Sequence, residues 1–141
     1  MLSTMDIKIR PVKIEDTKDI KKYLFTQAGE EEIKKDLAND IEAMKNGGVL
    51  RIVAEDYGKV VGQCDFRKLL SPLKQHIVEI TSLVVNNDFQ EKGISSKLME
   101  YGLKWAKNQG INIVINSVRK GTHAEDVYLH MGFKVYGELP D

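Results

Sequence analysis

The feature that most constrains the fold is a strand–helix–strand unit in the second half of the chain. The largely apolar segments at 75–85 and 111–118 each predict a strand. An amphipathic helix is predicted between them and ends before Gly110. Its apolar side carries four residues at helical spacing, Ile94, Leu98, Tyr101 and Trp105. Strands connected through a helix run parallel in one sheet, so this half predicts a crossover.

The first half of the chain favours antiparallel pairing. A strand at 7–12 is followed by two predicted helices, and then by two strands around the turn DYGK (56–59), which is typical of a hairpin. A short helix at 124–131 and a last strand at 133–139 complete the order β-α-α-β-β-β-α-β-α-β. We therefore expect an α/β fold of the α+β type. It is a single domain over residues 1–141, with a mixed sheet of about six strands flanked by about four helices.

Charge and cysteine content exclude several function classes. Lys plus Arg and Asp plus Glu are 21 each, a balance that does not favour nucleic-acid or membrane-surface binding. The single cysteine, Cys64, cannot form an internal disulfide, and no apolar leader or membrane-length run is present, so we expect a cytoplasmic protein. The three histidines, His76, His123 and His130, are scattered, and no metal site is predicted.

The segment FQEKGISSKLM (89–99) places a glycine and two serines at the entrance of the central helix. The first N–H groups of a helix lack intrahelical partners and carry the positive end of its dipole. Gly93 permits close approach to the backbone, and Ser95 adds a hydroxyl in little space. The segment therefore predicts a phosphate or pyrophosphate site, and a role confined to capping or packing is the alternative.

Two motifs resemble the GNAT N-acetyltransferases, which use acetyl-CoA. Q-x-x-G-x-S (90–95) after LVV is similar to the family's [RQ]-x-x-G-x-[GA], and AEDVYLHMGF (124–133) fits A-x-x-x-Y-x-x-x-G-F. The hairpin E-x-x-G-x-x-x-G (55–62) and the opening IKIRPVKIEDTKDI (7–20) are weaker matches. The resemblance covers nearly the whole chain. It implies a GNAT fold and acetyl-CoA as cosubstrate, without a metal.

The resemblance also implies which residues bind the coenzyme. Seven residues of the loop and helix start would surround its pyrophosphate: Gln90, Glu91, Lys92, Gly93, Ile94, Ser95 and Ser96. The backbone of Leu83, Val84 and Val85 would pair with the amides of its pantetheine arm, in the manner of an added strand.

Two residues are candidates for proton transfer. By the resemblance, Tyr128 would protonate the leaving thiolate, and a core tyrosine is the alternative. Glu79 lies in an otherwise apolar strand, eleven residues before Gln90, a spacing that some relatives use for a general base. An ordinary solvent-facing glutamate is the alternative.

The sequence departs from the family pattern at four points. Ser95 replaces a Gly or Ala, Asn87 a proline and Gly121 an asparagine that contacts the pantetheine arm. We expect the first two to be tolerated, whereas the third puts that contact in doubt. The usual seventh strand is not seen before Asp141, and because an unpaired sheet edge invites pairing, we expect a homodimer.

The expected function is transfer of acetyl from acetyl-CoA to a primary amine, on a small molecule or a protein, by direct attack in a ternary complex. The alternative is a catalytically silent GNAT-fold module that binds acyl-CoA or senses a ligand. Polyamines, amino acids, amino sugars, aminoglycosides and protein N-termini all remain open as acceptors. The acidic stretch at 26–36 could hold a cationic amine, although a solvated helix face explains it as well.

Overall fold

The computed structural model describes residues 6–69, 77–90, 93–111 and 113–116 and the single residues 129, 132 and 134. Within them the chain forms five strands, β1 (Ile7–Pro11), β2 (Val49–Asp56), β3 (Lys59–Lys68), β4 (Ile77–Val85) and β5 (Ile113–Asn116). Three helices are also present, α1 (Thr17–Tyr23), α2 (Glu30–Lys45) and α3 (Ile94–Asn108). Two 3₁₀ turns, Ile14–Asp16 and Asn87–Phe89, precede α1 and α3.

The strands form one sheet in the order β1-β2-β3-β4-β5. The first three neighbouring pairs are antiparallel, and β4 and β5 are parallel across the α3 crossover. The predicted mixed sheet and the α+β class are thus confirmed. The predicted helix at 124–131 and last strand at 133–139 lie outside the described residues, apart from isolated positions. One of these, Gly132, has a φ of +98° and donates its N–H to the carbonyl of Leu129.

The hairpin between β2 and β3 forms where the sequence predicted it. Tyr57 and Gly58 both have positive φ, 49° and 82°, which is the backbone of a tight hairpin turn. The register shifts after Ala54, because β3 has one more residue than β2 at this point of the ladder. Gly62, beyond that shift, lets α3 approach the sheet, because a Cβ there would lie 3.2 Å from the Ile94 side chain.

The sheet buries an apolar layer on each face. One face packs against α3, whose buried positions are Ile94, Leu98, Met99, Gly102 and Ala106. The predicted stripe was therefore wrong at Tyr101, which is 37% exposed, because the buried face is turned toward Met99 and Gly102. The other face packs against α1 and α2 through Ile20, Ile33 and Leu37.

The ladder between β3 and β4 is irregular at one point in β4, close to the cavity described below. Asp65 faces Ser82 across the β3–β4 ladder and Phe66 faces Ile80, so Thr81 is an extra residue in β4. Pairing between β4 and β5 ends at Ile80 and Asn116. Beyond this point no described strand pairs with β4 on its β5 side. None of the described helices is long and apolar enough to cross a membrane.

Candidate functional site

The N-terminus of α3 has backbone N–H groups that no described residue accepts. Gly93 occupies its N-cap position with a φ of +76°, and none of the described side chains caps the helix. The first turn carries no acidic residue, and the first helical bond runs from Lys97 N–H to the Gly93 carbonyl at 3.1 Å. The N–H groups of the residues in between therefore have no intrahelical acceptor and point out of the helix start. This is the geometry that binds phosphate groups.

The predicted loop residues play different parts in this arrangement. Ile94 is 1% exposed and packs in the α3-side core, so that only its backbone can face a ligand. Ser95 is half-buried, and Gly93 and Ser96 are exposed. Gln90 donates its side-chain amide to the Val85 carbonyl at 3.3 Å and to Asn87 Oδ1 at 3.2 Å, so it holds the loop against the end of β4. Glu91 and Lys92 lie outside the described residues.

Sequence reasoning missed Asn86, the residue that anchors the loop. Its Oδ1 accepts the N–H of Asp88 at 2.9 Å, and its Nδ2 donates to the Tyr23 carbonyl at the end of α1, also at 2.9 Å. The first of these bonds is the local side-chain-to-backbone turn that Asn favours. The asparagine pair at 86–87 was the available signal, whereas the contact with α1 depends on the tertiary fold.

The predicted backbone partners of the pantetheine arm lie in the part of β4 that pairs with β3 but with no described strand on its other side. Leu83, Val84 and Val85 pair with β3, and Leu83 and Val85 also pack against the α3-side core. In an antiparallel ladder alternate residues direct their N–H and C=O away from the partner strand. From Thr81 onward no described strand meets those groups on the β5 side. A strand side that no other strand occupies is one on which an extended ligand can pair as an added strand.

Of the two predicted catalytic residues, only Glu79 is among the described residues. Glu79 is half-buried in β4, between Arg67 of β3 and Ile115 of β5 in register. Because Val78 and Ile80 face α3, Glu79 faces the α2 side of the sheet. Among the described residues it has no ion pair or hydrogen bond. Tyr128 lies outside the described residues.

A cavity of about 510 Å³ lies between α2 and the sheet. It is lined by residues of the α1–α2 connection, of α2 and of three strands: Phe25, Ala28, Glu32, Ile33, Lys35, Asp36, Asn39, Arg51, Gln63, Asp65, Arg67 and Ser82. Its volume lies in the range of small-ligand pockets. Part of the lining comes from the stretch 26–36, which was a candidate for the acceptor site. The strand residues were not predicted, because alternation alone does not reveal which polar positions face a pocket.

A buried polar network forms the floor of this cavity. Arg51, only 3% exposed, donates from Nη1 to Asp36 and Asp40 at 2.9 Å each. Its Nε and Nη2 donate to Gln63 Oε1 at 3.3 and 2.9 Å, and Gln63 in turn donates to Ser82 Oγ at 3.1 Å. Every nitrogen of this guanidinium is thus bonded within the protein. The network fixes the position of Ser82, beside the extra residue of β4.

A second guanidinium lies next to the first. Arg67 donates to Asp40 at 2.8 Å, to Asp65 Oδ2 at 3.0 Å and to Thr81 at 3.1 Å. Burial opposes its charge, but the carboxylates of Asp40 and Asp65 outweigh burial and raise the pKa of Arg67. Thr81 also donates its hydroxyl to Asp65 Oδ2. Asp65 Oδ1, by contrast, is enclosed and has no hydrogen-bond partner among the described residues.

Cys64 does not belong to the site. Its side chain is fully buried and packs on the α3 side of the sheet. Burial, and secondarily the negative charge of Asp65, raises the pKa of the Cys64 thiol. The thiol is therefore protonated near neutral pH and is not a nucleophile.

Comparison with known proteins identifies one family. The profile of the acetyltransferase (GNAT) family matches residues 15–133. The fold is similar to that of PaiA N-acetyltransferase from Thermoplasma acidophilum in complex with CoA, at 22% identity, a TM-score of 0.75 and coverage of 93% of this chain and 91% of that one. A search of curated proteins gave no match.

Two further solved structures have the same fold. The aminoglycoside N-acetyltransferase AAC(6')-Iy in complex with CoA is 14% identical, with a TM-score of 0.81 and coverage of 100% of this chain and 96% of that one. Glucosamine-6-phosphate N-acetyltransferase from Arabidopsis thaliana is 19% identical, with a TM-score of 0.78 and coverage of 96% of each chain.

Proposed function

The chain belongs to the acetyltransferase (GNAT) family of acyltransferases, and from this premise we propose that it transfers the acetyl group of acetyl-CoA to a primary amine. Residues 1–141 act as one domain in this proposal, and both substrates bind together before the amine attacks. The observation that carries the proposal is the N-terminus of α3 at Gly93, which no described side chain caps, next to the end of β4, which pairs with no described strand on its β5 side. The helix start suits the pyrophosphate of the coenzyme, and the adjoining strand end suits its pantetheine arm.

The α3 entrance would hold the pyrophosphate. The N–H groups of Gly93, Ile94, Ser95 and Ser96 supply donors and a positive dipole end, so that no basic cluster is required. The loop is held in place by Gln90 and Asn86, which reduces the entropy lost on binding. Glu91 and Lys92 remain proposed members of this loop on the family motif alone.

The end of β4, on the side where it pairs with no described strand, would hold the pantetheine arm. Leu83, Val84 and Val85 supply backbone groups that pair with its amides, and this brings the thioester toward the extra residue Thr81. A β4 N–H near that point would donate to the thioester carbonyl oxygen as it becomes an oxyanion.

The proposed chemistry needs one base and one acid. A neutral amine attacks the thioester carbon, the C–N bond forms and the C–S bond breaks. We assign removal of the amine proton to Glu79, directly or through water, and protonation of the departing thiolate to Tyr128. Glu79 is suited to this role because it makes no described ion pair that would hold its carboxylate away from the amine.

Calorimetric titration with acetyl-CoA and then CoA tests the proposal first. We expect micromolar binding, followed by CoA release when a suitable amine is added. A thiol reagent can follow that release, because the buried Cys64 gives no background in the folded protein. Binding without release for any amine would favour the catalytically silent module.

Replacing Tyr128 by Phe tests the acid. We expect turnover to fall by about 10²- to 10⁴-fold, the usual scale of general acid–base catalysis, with unchanged affinity for acetyl-CoA. Full turnover with the best acceptor would remove Tyr128 from this role.

A further inference from the structure

The irregularity in β4 turns Ser82 toward the cavity beside α2. The buried Val78 and Ile80 face α3, and strict alternation along the strand would send residue 82 to the same side. Because Thr81 is an extra residue, Leu83 takes the α3 side instead, and Ser82 lines the cavity on the other side of the sheet. Pairing of β4 with β5 has already ended at Ile80, so Ser82 lies next to the proposed position of the thioester.

The charges around the cavity favour neither sign. The residues that line it include three cationic and three anionic side chains, Lys35, Arg51, Arg67, Glu32, Asp36 and Asp65. A lining with equal numbers of both signs does not select an acceptor molecule by net charge. Selection is then left to a polar group whose hydrogen-bonding role the fold has fixed.

The hydrogen bonds of Gln63 fix the role of the Ser82 hydroxyl. A guanidinium can only donate, so the Gln63 atom that receives Nε and Nη2 of Arg51, at 3.3 and 2.9 Å, is the amide oxygen. The amide nitrogen can only donate, and it does so to Ser82 Oγ at 3.1 Å. Ser82 therefore accepts this bond, and its own proton has no acceptor among the described residues. Gln63 is 1% exposed and cannot turn its amide over without losing both partners.

On the basis of the proposed acetyl transfer, we propose that the cavity takes an amine that also carries a neutral oxygen, and that Ser82 is the specificity residue that donates a hydrogen bond to this oxygen. An amine with a purely apolar chain would leave the half-buried hydroxyl without an acceptor, and a second ammonium cannot accept its proton. The reacting nitrogen is not the partner, because a lone pair that accepts a hydrogen bond cannot attack the thioester. The class favoured is therefore hydroxyl- or carbonyl-bearing amines over polyamines.

Matched pairs of amines test this hydrogen bond. An ether oxygen accepts but does not donate, so CoA release is measured with 2-methoxyethylamine against butylamine and with 3-methoxypropylamine against pentylamine. Each ether differs from its partner by one oxygen in place of a methylene. Because the ether oxygen also changes the basicity of the amine itself, the quantity compared between wild type and variants is the ether-to-alkyl ratio of kcat/KM.

Ser82→Ala removes the donor. We expect at least one of the two ratios to fall by about 3- to 10-fold, the scale of one neutral hydrogen bond. A merely structural role of Ser82 would lower kcat/KM for both members of a pair alike and leave the ratio in place. If neither ratio changes, the proposal is overturned.

Gln63→Glu keeps the Ser82 hydroxyl but reverses its hydrogen bond. One carboxylate oxygen still accepts from Arg51, which favours the ionised form, and the other replaces the amide nitrogen and accepts the Ser82 proton. We expect this variant to lose the ether preference as Ser82→Ala does. Gln109→Glu makes the same change at an exposed position at the end of α3 and should keep the wild-type ratios. An ether preference that survives Gln63→Glu at alkaline pH would overturn the assignment of Ser82 as the donor.

Failure of the proposed function is a separate result. It is seen if the wild type binds no acetyl-CoA, or binds it without releasing CoA to any amine. Calorimetric titration of the same four amines into the protein then decides on the cavity by itself. Tighter binding of an ether than of its alkyl partner, lost in Ser82→Ala, supports the assignment, and equal binding within both pairs overturns it.

Discussion

At the residue scale, two glycines share one backbone conformation and differ in what surrounds them in the fold. Gly93 begins α3 with a φ of +76°, and Gly58 closes the β2–β3 hairpin with a φ of +82°. Apart from the neighbours in the chain, no described residue has an atom within 4 Å of a Cβ at either position. Substitution therefore strains the backbone alike at both, while only Gly93 lies at the proposed pyrophosphate site.

Gly93→Val should weaken CoA binding by about tenfold or more, since it disturbs the donors at the helix start and projects a side chain into the space a phosphate would use. Gly58→Val is the matched control and should cost a similar free energy of unfolding with unchanged CoA affinity. Calorimetric titration and urea denaturation of both variants provide the measurement. Equal CoA affinity in the two variants would mean that the α3 entrance does not hold the coenzyme.

Gly102 is required for a different reason, close packing. It lies in the middle of α3, and a Cβ there would be 1.9 Å from two atoms of the Phe66 ring on β3. We expect Gly102→Ala to lower the free energy of unfolding by about 1–3 kcal/mol, despite the better helix propensity of alanine, because the core must shift to admit the methyl group. Urea denaturation measures this, with Lys104→Ala on the exposed side of α3 as control.

Adding Phe66→Leu to Gly102→Ala tests the cause. The smaller side chain leaves room for the methyl group, so the double variant should be more stable than the sum of the two single losses predicts. Strict additivity would show that the Phe66 ring is not what makes Gly102 necessary.

At the element scale, α2 is held to the sheet by charge as well as by apolar contact. Asp36 and Asp40 of this helix bind the same Arg51 nitrogen at the same distance, 2.9 Å. They differ in exposure, since the Asp36 side chain is 63% exposed and that of Asp40 is 6% exposed. Asp40 also accepts a bond from Arg67. Asp36 and Asp40 therefore form an exposed and a buried ion pair with the same cation, Arg51.

We expect Asp40→Asn to cost about 3 kcal/mol of unfolding free energy, because it removes one negative charge from the buried Arg51 and the half-buried Arg67. Asp36→Asn should cost less than about 1 kcal/mol, since water screens and replaces the exposed contact. Urea denaturation of the two variants makes the comparison. Similar losses in both would indicate that burial does not govern the strength of this network.

The sequence predicted the elements better than the contacts between them. The α3 crossover, the DYGK hairpin and the glycine at the α3 entrance follow from local patterns, so each was found at its place. The cavity was not predicted, because Asp65, Arg51 and Asp40 come from three elements and meet only in the tertiary fold. The error at Tyr101 has the same origin. Helical spacing predicts an apolar stripe on α3, but the contact of Phe66 with Gly102 decides which side of the helix faces the sheet.

At the scale of the whole molecule, the homodimer stays a prediction. Among the described strands, β1 pairs only with β2, but it is short, carries the exposed Lys8 and ends in Pro11. These features discourage edge pairing, so we expect a dimer to form through another surface. Light scattering at micromolar concentration measures the mass, and a monomeric mass would contradict the prediction.

The last prediction concerns cooperativity across the sheet. The two apolar layers lie on opposite faces, but the same strands serve both: Ile52 and Val53 are neighbours in β2, each fully buried, one in each layer. Because neither layer can be lost without exposing the other side of β2, we expect the chain to unfold as one unit. Trp105, the single tryptophan, packs against the α3-side layer and reports on that face.

Asp40→Asn, on the α2 face, provides the test. If the domain is one unit, this variant shifts the urea midpoint of Trp105 fluorescence by the same amount as that of far-UV circular dichroism. Its free-energy loss should then add to that of Gly102→Ala within about 0.5 kcal/mol, since the two sites lie in separate layers. If Asp40→Asn does not shift the urea midpoint of Trp105 fluorescence, the α2 layer and the α3 layer unfold independently. The single-domain prediction would then be wrong.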